Sequence, residues 1–129
     1  MNNEPEILIV VPATSSLLRF CRMSASAAAA TVGFDLDELD DVRTAVGEAV
    51  GVLLSGPDGT STPDPGELEL RIRLHPEAIE LHGTRQHASL PLCAESELTA
   101  ALLGATLDEY SFDLRVGRRS FHLVKRRTP

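Results

Sequence analysis

The chain has 129 residues, 43% of them hydrophobic and 24% charged, with a net charge of −7 at pH 7. That length suits a single domain, residues 1–129, with one core. The acidic balance argues against a nucleic-acid or anionic-membrane partner, and no apolar run approaches the roughly 18–20 residues of a membrane span.

The N-terminus, MNNEPE, lacks the charged-then-apolar pattern of a signal peptide, so the cytoplasm is the expected compartment. Glu6 to Val11 is a β-rich run, stopped by Pro12. Thr14, Ser15 and Ser16 offer helix caps. The alanine-rich segment Ser16 to Val32 follows, with Leu17, Phe20, Cys21, Ser24, Ala27/Ala28 and Thr31 along its inward side. Arg19, Arg22 and Ser26 are expected outward, and Gly33 suits a C-cap.

Asp35 to Leu54 reads as the long central helix. Leu39, Val42, Val46, Ala49/Val50 and Leu53 recur at helical spacing. Asp35 with Glu38 forms a capping box, and Asp37, Asp40 and Asp41 crowd the first turns, where the helix dipole favours negative charge. The opposite face carries Thr44, Gly47, Glu48, Gly51 and Ser55. Interior helix glycines cost about 1 kcal/mol each relative to alanine, so close packing or a ligand against the backbone is expected there.

Gly56 to Gly66, rich in Pro and Gly, reads as a mobile surface loop. Glu67 to His75 alternates cleanly and is expected to be a half-buried antiparallel strand. Pro76-Glu77 turns it into a return strand, Ala78 to Leu81, and His82 to Leu92 reads as irregular. A short helix over Ala94 to Ala105 should bury Leu98, Ala101/Leu102 and Ala105. Tyr110 to Val116 and Ser120 to Lys125 form a second hairpin across Gly117-Arg118. Arg115, Arg118, Arg119, Lys125, Arg126 and Arg127 read as a solvated strand pair with a basic tail. The order gives an α+β, two-layer sandwich: a mixed, mostly antiparallel sheet of about five strands with helices on one face.

The two cysteines, Cys21 and Cys93, form no CxxC pattern and read as free, mostly buried thiols. His75, His82, His87 and His122 lack metal-ligand spacing. No GxSxG-type nucleophile elbow is present.

The stretch Asp41-Val42-Arg43-Thr44-Ala45-Val46-Gly47-Glu48-Ala49-Val50 resembles the signature helix of the histidine-kinase-like (GHKL, Bergerat) ATPases, in particular the anti-sigma-factor serine kinases. Three further stretches resemble that family: Pro12 through Arg19, Leu102 through Tyr110, and Phe121 through Lys125. The resemblance spans essentially the whole chain and implies the Bergerat fold. It also implies Glu48 as base, ATP and Mg²⁺ as cofactors, and Arg19 as a contact for the sigma factor.

The nucleotide motifs depart from the family pattern. Val52 stands where the family's Mg²⁺-binding asparagine belongs, and Mg²⁺ wants oxygen ligands. His82 to His87 keeps one glycine, Gly83, and no aspartate where the family places Asp-x-Gly-x-Gly. Cys93 to Glu97 has no glycine and two carboxylates where phosphate is cradled.

The leading expectation is therefore an anti-sigma-like regulator without kinase activity. It would bind a sigma factor or an anti-anti-sigma protein, require no cofactor, retain Glu48, Val52 and Gly83 as a vestigial pocket, and be able to form a homodimer. A second reading keeps an ATP-dependent serine kinase using Glu48, with Asp58 or Asp64 as replacement Mg²⁺ ligand. A third is an unrelated α+β module holding a small ligand against Gly47 and Gly51.

Overall fold

The computed structural model describes residues 4–56 and 65–128. The expected loop Gly56 to Gly66, with Asp58 and Asp64, lies mostly outside these residues. Five strands and three α-helices follow in the order β1 (Glu6–Pro12), α1 (Leu18–Val32), α2 (Leu36–Leu54), β2 (Glu67–His75), β3 (Ala78–Gln86), α3 (Glu97–Thr106), β4 (Glu109–Arg115) and β5 (Arg118–Arg126). A 3₁₀ turn, Ser15–Leu17, leads into α1.

The strands form one sheet in the order β1-β2-β3-β5-β4. Every described pairing is antiparallel, so the expected mixture has no parallel member. Period-two alternation sets the layers. Leu68, Leu70 and Ile72 of β2, Ile79 and Leu81 of β3, and Phe121 and Leu123 of β5 are buried. Between them, on the opposite face, stand Arg71, Arg73, Glu80, His82 and His122. The core lies on one side, under α1 and α2.

Local chemistry accounts for the helices. Gly33 ends α1 in the left-handed region, φ 96°, and its N–H reaches the carbonyls of Ala29 and Ala30. The Asp35 side chain accepts from the Glu38 amide at 2.8 Å, and the Glu38 carboxylate accepts from the Asp35 amide at 3.0 Å. This is the expected capping box. Of the expected α2 stripe, Val42, Val46, Ala49, Val50 and Leu53 are buried and Leu39 is partly so.

Several boundaries and faces differ from expectation. On α1, Cys21 and Ala28 face inward, but the buried row is Cys21, Ala25, Ser26, Ala28 and Ala29. Phe20 is 45% exposed and Ser26 is buried. Alanine pairs carry no strong directional signal, and the small side chains let this helix pack closely on α2 and the sheet. On α3, capped by Ser96, the buried residues are Thr99, Leu103 and Thr106; the expected inward Leu98 is 68% exposed. Strand β3 continues through His82–Gln86, which alternation alone missed because its inward positions there are Gly83 and Arg85. The second hairpin turns at Val116-Gly117, since Arg115 pairs with Arg118. Its basic residues are not all solvated: Arg119 is 0% and Lys125 9% exposed.

Candidate functional site

On α2, Asp41, Ala45, Glu48 and Val52 fall on one row at spacings of four, three and four. This row runs on the α3 side. At the Asp41 end the Lys125 ammonium joins α2 to α3, donating to Thr106 O at 2.9 Å and to Asp41 Oδ2 at 3.4 Å. Ala45 is fully buried and Val52 is 7% exposed. Glu48 is half-buried and, among the described residues, makes no hydrogen bond or ion pair. A base needs an acceptor for its proton and a positioned nucleophile. Here the next turn offers an apolar side chain.

The third pocket residue, Gly83, serves packing. It lies opposite Phe121 on β5, and a Cβ built on it would sit 2.3 Å from Phe121 Cε2. The glycine makes room for a ring that is itself buried and edge-on to Phe112. Of the α2 glycines, Gly47 packs against the Arg22 stem, with a built Cβ 3.4 Å from Arg22 Cδ, whereas Gly51 meets nothing within 4 Å. Neither lines any of the cavities described here.

Two arginines, Arg119, which was expected in solvent, and Arg85, dominate the region between the C-terminal end of α2 and the sheet. Arg119 of β5 donates from Nη1 to Leu53 O at 3.1 Å and Ser55 O at 2.6 Å, and from Nη2 to Pro91 O at 3.1 Å. Arg85 of β3 donates from Nη1 to Leu53 O at 3.0 Å, and from Nη2 to Pro65 O at 2.9 Å. The two guanidiniums thus staple the last turn of α2, the chain entering β2 and the β3–α3 connection. They sit at the negative end of the α2 dipole, which partly offsets their charge. Neither has a carboxylate partner among the described residues. Burial, and then the neighbouring Arg119 charge, push the Arg85 pKa down. Arg119 Nε is buried without a hydrogen-bond partner among the described residues. A signal for them existed: if Phe121 and Leu123 face inward, so must Arg119 and Lys125.

The connection before α3 is tied to the turn between β4 and β5. His87 N donates to Gly117 O at 3.0 Å and Gly117 N to Leu90 O at 2.9 Å. The Ser96 hydroxyl accepts from the Thr99 amide at 3.1 Å, and Glu97 occupies the first turn. A side-chain cap and a carboxylate thus already serve the helix N-terminus, where the family pattern would place phosphate.

Arg19 stands apart from these residues. It is exposed on the first turn of α1, its guanidinium 5.4 Å from the Phe20 ring centroid. Phe20 and Met23, 45% and 64% exposed, share that surface.

The outer face of the sheet carries a polar network. Glu6 accepts from Arg71 and Arg73. Glu80 takes the Nε2 atoms of both His75 and His122, and those contacts hold its carboxyl below the usual range. His82 is pushed down by desolvation and then by the His122 charge. With Glu6, Arg71, Arg73, Glu80 and His122 it lines a shallow cavity of about 180 Å³. Among the described residues no three His, Cys, Asp or Glu side chains could hold a metal ion. Cys21 is buried and Cys93 half-buried, both free. No described helix is long and apolar enough to cross a membrane.

No family model matches the sequence, and no curated protein matches it. A solved structure does match: that of the RsbU and RsbW domains of Rv1364c from Mycobacterium tuberculosis, with a TM-score of 0.72 and 18% sequence identity. The match covers 95% of this chain and 32% of that one, so this chain spans about a third of its length. The likeness establishes the architecture: this domain has the two-layer α+β fold that the resemblance to the anti-sigma kinases implied.

Proposed function

We propose that this domain is a regulatory protein-binding module of the anti-sigma type that works without nucleotide. It would act by binding a sigma factor or an anti-anti-sigma protein. The observation that carries this reading is the Arg85–Arg119 pair. Where the resemblance puts a nucleotide, between α2, the end of β3 and the segment before α3, two guanidiniums bond to backbone carbonyls. Val52 supplies no ligand oxygen for Mg²⁺, and Gly83 is committed to Phe121. The residues present do not fit ATP and Mg²⁺, and we assign no phosphoryl-transfer step.

The fold shared with an RsbW-containing structure and the stretches resembling anti-sigma kinases support a regulatory role. Arg19, exposed beside Phe20 and Met23, is the proposed contact for the partner; arginine and aromatic side chains are enriched at such interfaces. The test is calorimetry or size exclusion with purified sigma factors and anti-anti-sigma proteins from the source organism. A complex that forms without ATP and weakens in Arg19→Ala supports the reading. Absence of binding to every such regulator would overturn it.

A second copy of the chain is a further proposed partner. Strand β1 is a sheet edge, and Ile7, Leu8 and Val10 on it are 38%, 49% and 46% exposed. Sedimentation equilibrium showing only monomer at high concentration would exclude it. The kinase reading retains one favourable observation, that Glu48 is unpaired among the described residues. Phosphate transfer to a partner, lost in Glu48→Ala, would revive it.

A further inference from the structure

We infer that the outer face of α3 is a docking surface for a basic amphipathic helix of a partner protein. This rests on the protein-binding reading and adds a second contact region, separate from Arg19. The inward row of α3 is Thr99, Leu103 and Thr106. The neighbouring row is Leu98, Ala101, Leu102 and Ala105, apolar at helical spacing; Leu98, Ala101 and Ala105 are exposed and Leu102 is half-buried. Leu98 is 68% exposed, and Leu92, in the connection before the helix, 67%. A monomeric surface rarely keeps two leucines so bare beside further apolar positions unless the patch serves an interaction. The same spacing led the sequence reading to place this row in the core. The apolar character of its exposed members, Leu98, Ala101 and Ala105, is not used by the core of the domain.

Charge selects the partner. From Gln86 through Leu114 the chain carries Glu95, Glu97, Asp108, Glu109 and Asp113, and no Lys or Arg. Asp113 pairs with Arg115 and Glu109 with Arg126, and Asp108 accepts the Arg126 amide. Glu95 and Glu97 have no ion partner among the described residues, and Glu95 Oε2 is shielded from solvent without a hydrogen-bond donor. The nearest cation packed under the helix, Lys125, is turned inward to Thr106 O and Asp41. An apolar stripe with an unneutralised acidic rim matches a helix whose apolar stripe is flanked by Lys or Arg. A second copy of this chain would set Glu95 and Glu97 near their own equivalents, so self-association on this face is disfavoured.

The test is an NMR titration of the full chain with a synthetic leucine–lysine amphipathic helix. A lysine peptide of equal charge, with its leucines replaced by serine, is the control. The expected result is saturable shifts centred on residues 92 to 105 with the first peptide and no saturation with the second. Leu98→Ser, at a position too exposed to threaten the fold, should weaken binding at least about tenfold, and added salt should weaken it further. Shifts centred instead on Asp37, Asp40 and Asp41 at the start of α2, or binding unchanged in Leu98→Ser, would overturn the proposal. The two readings separate cleanly. A regulator that binds wild type and Leu98→Ser equally sinks the α3 surface alone. A chain that binds the peptide but no regulator sinks the regulatory reading alone.

Discussion

Replacing Arg119 with methionine tests the guanidinium staple on which the site reading rests. The side chain is 0% exposed and donates to the carbonyls of Leu53, Ser55 and Pro91. Methionine keeps most of the apolar volume and removes every donor. Leu53 O keeps its second donor, Arg85 Nη1 at 3.0 Å, so two carbonyls, Ser55 O and Pro91 O, are left without this partner. A fully buried acceptor left unsatisfied costs about 1–3 kcal/mol; Ser55 and Pro91 are exposed residues, so water meets part of the demand and the pair costs about 2 kcal/mol, the low end for two acceptors. Against that stands relief: a buried charge without a carboxylate partner disappears, and Arg85 loses a like-charged neighbour that depresses its pKa. We expect the acceptor cost to outweigh the relief, a net loss of up to about 2 kcal/mol, or up to roughly 6–10 °C in Tm for a domain between the small and large classes. Urea unfolding at neutral pH measures it directly. Hydrogen exchange should also quicken at the Ser55 amide, which bonds to Val52 O at 3.2 Å in the last turn of α2. An Arg119→Met chain as stable as wild type, with unchanged exchange at Ser55, would refute the staple. The guanidinium would then be a tolerated burial whose desolvation cancels its bonds.

Two further predictions follow from packing and charge. Gly83→Ala should destabilise by about 1–3 kcal/mol, because the added methyl would lie 2.3 Å from a Phe121 ring that is 1% exposed and has no room to retreat; denaturant midpoints compared with Gly51→Ala, where nothing lies within 4 Å, isolate the clash. Glu80 titrates below its unfolded value near 4.5 because His122 and His75 hydrogen-bond to it. A lowered folded pKa makes its contribution present above that unfolded value and lost as pH falls through the folded one. Thermal melts across this acid range should show a shallower stability loss for Glu80→Gln than for wild type, and parallel curves would contradict the assignment.

Much of the fold was legible because its signals are local and strong. Glu67 to His75 alternates without a break, and the strand spans those same residues. The Asp35–Glu38 box fixed the start of α2. What escaped did so for identifiable reasons. Strand β3 was cut short at Leu81 because its next inward positions are Gly83 and Arg85, which read as polar or flexible on any hydropathy pattern. The inward side of α1 was misplaced because alanines occupy both sides. The α3 stripe was read as core because an apolar row at helical spacing looks the same whether neighbour or solvent covers it. At the site, Glu48 is expected on the helix face with Thr44, Gly47 and Gly51 and Arg119 in solvent, and the burial of Arg85 and Arg119 beneath the end of α2 was not read. A strand arginine is solvated far more often than buried, and only the register set by Phe121 and Leu123 turns Arg119 inward.

The central claim, a regulatory domain whose nucleotide site is filled by its own side chains, is tested most directly by a thermal melt with and without millimolar ATP and Mg²⁺. A ligand at a hundred times its Kd stabilises by about 2.7 kcal/mol, several degrees for a domain of this size. The account predicts no shift for wild type. A clear upward shift, abolished in Glu48→Ala, would contradict it and return the nucleotide to the centre of the mechanism.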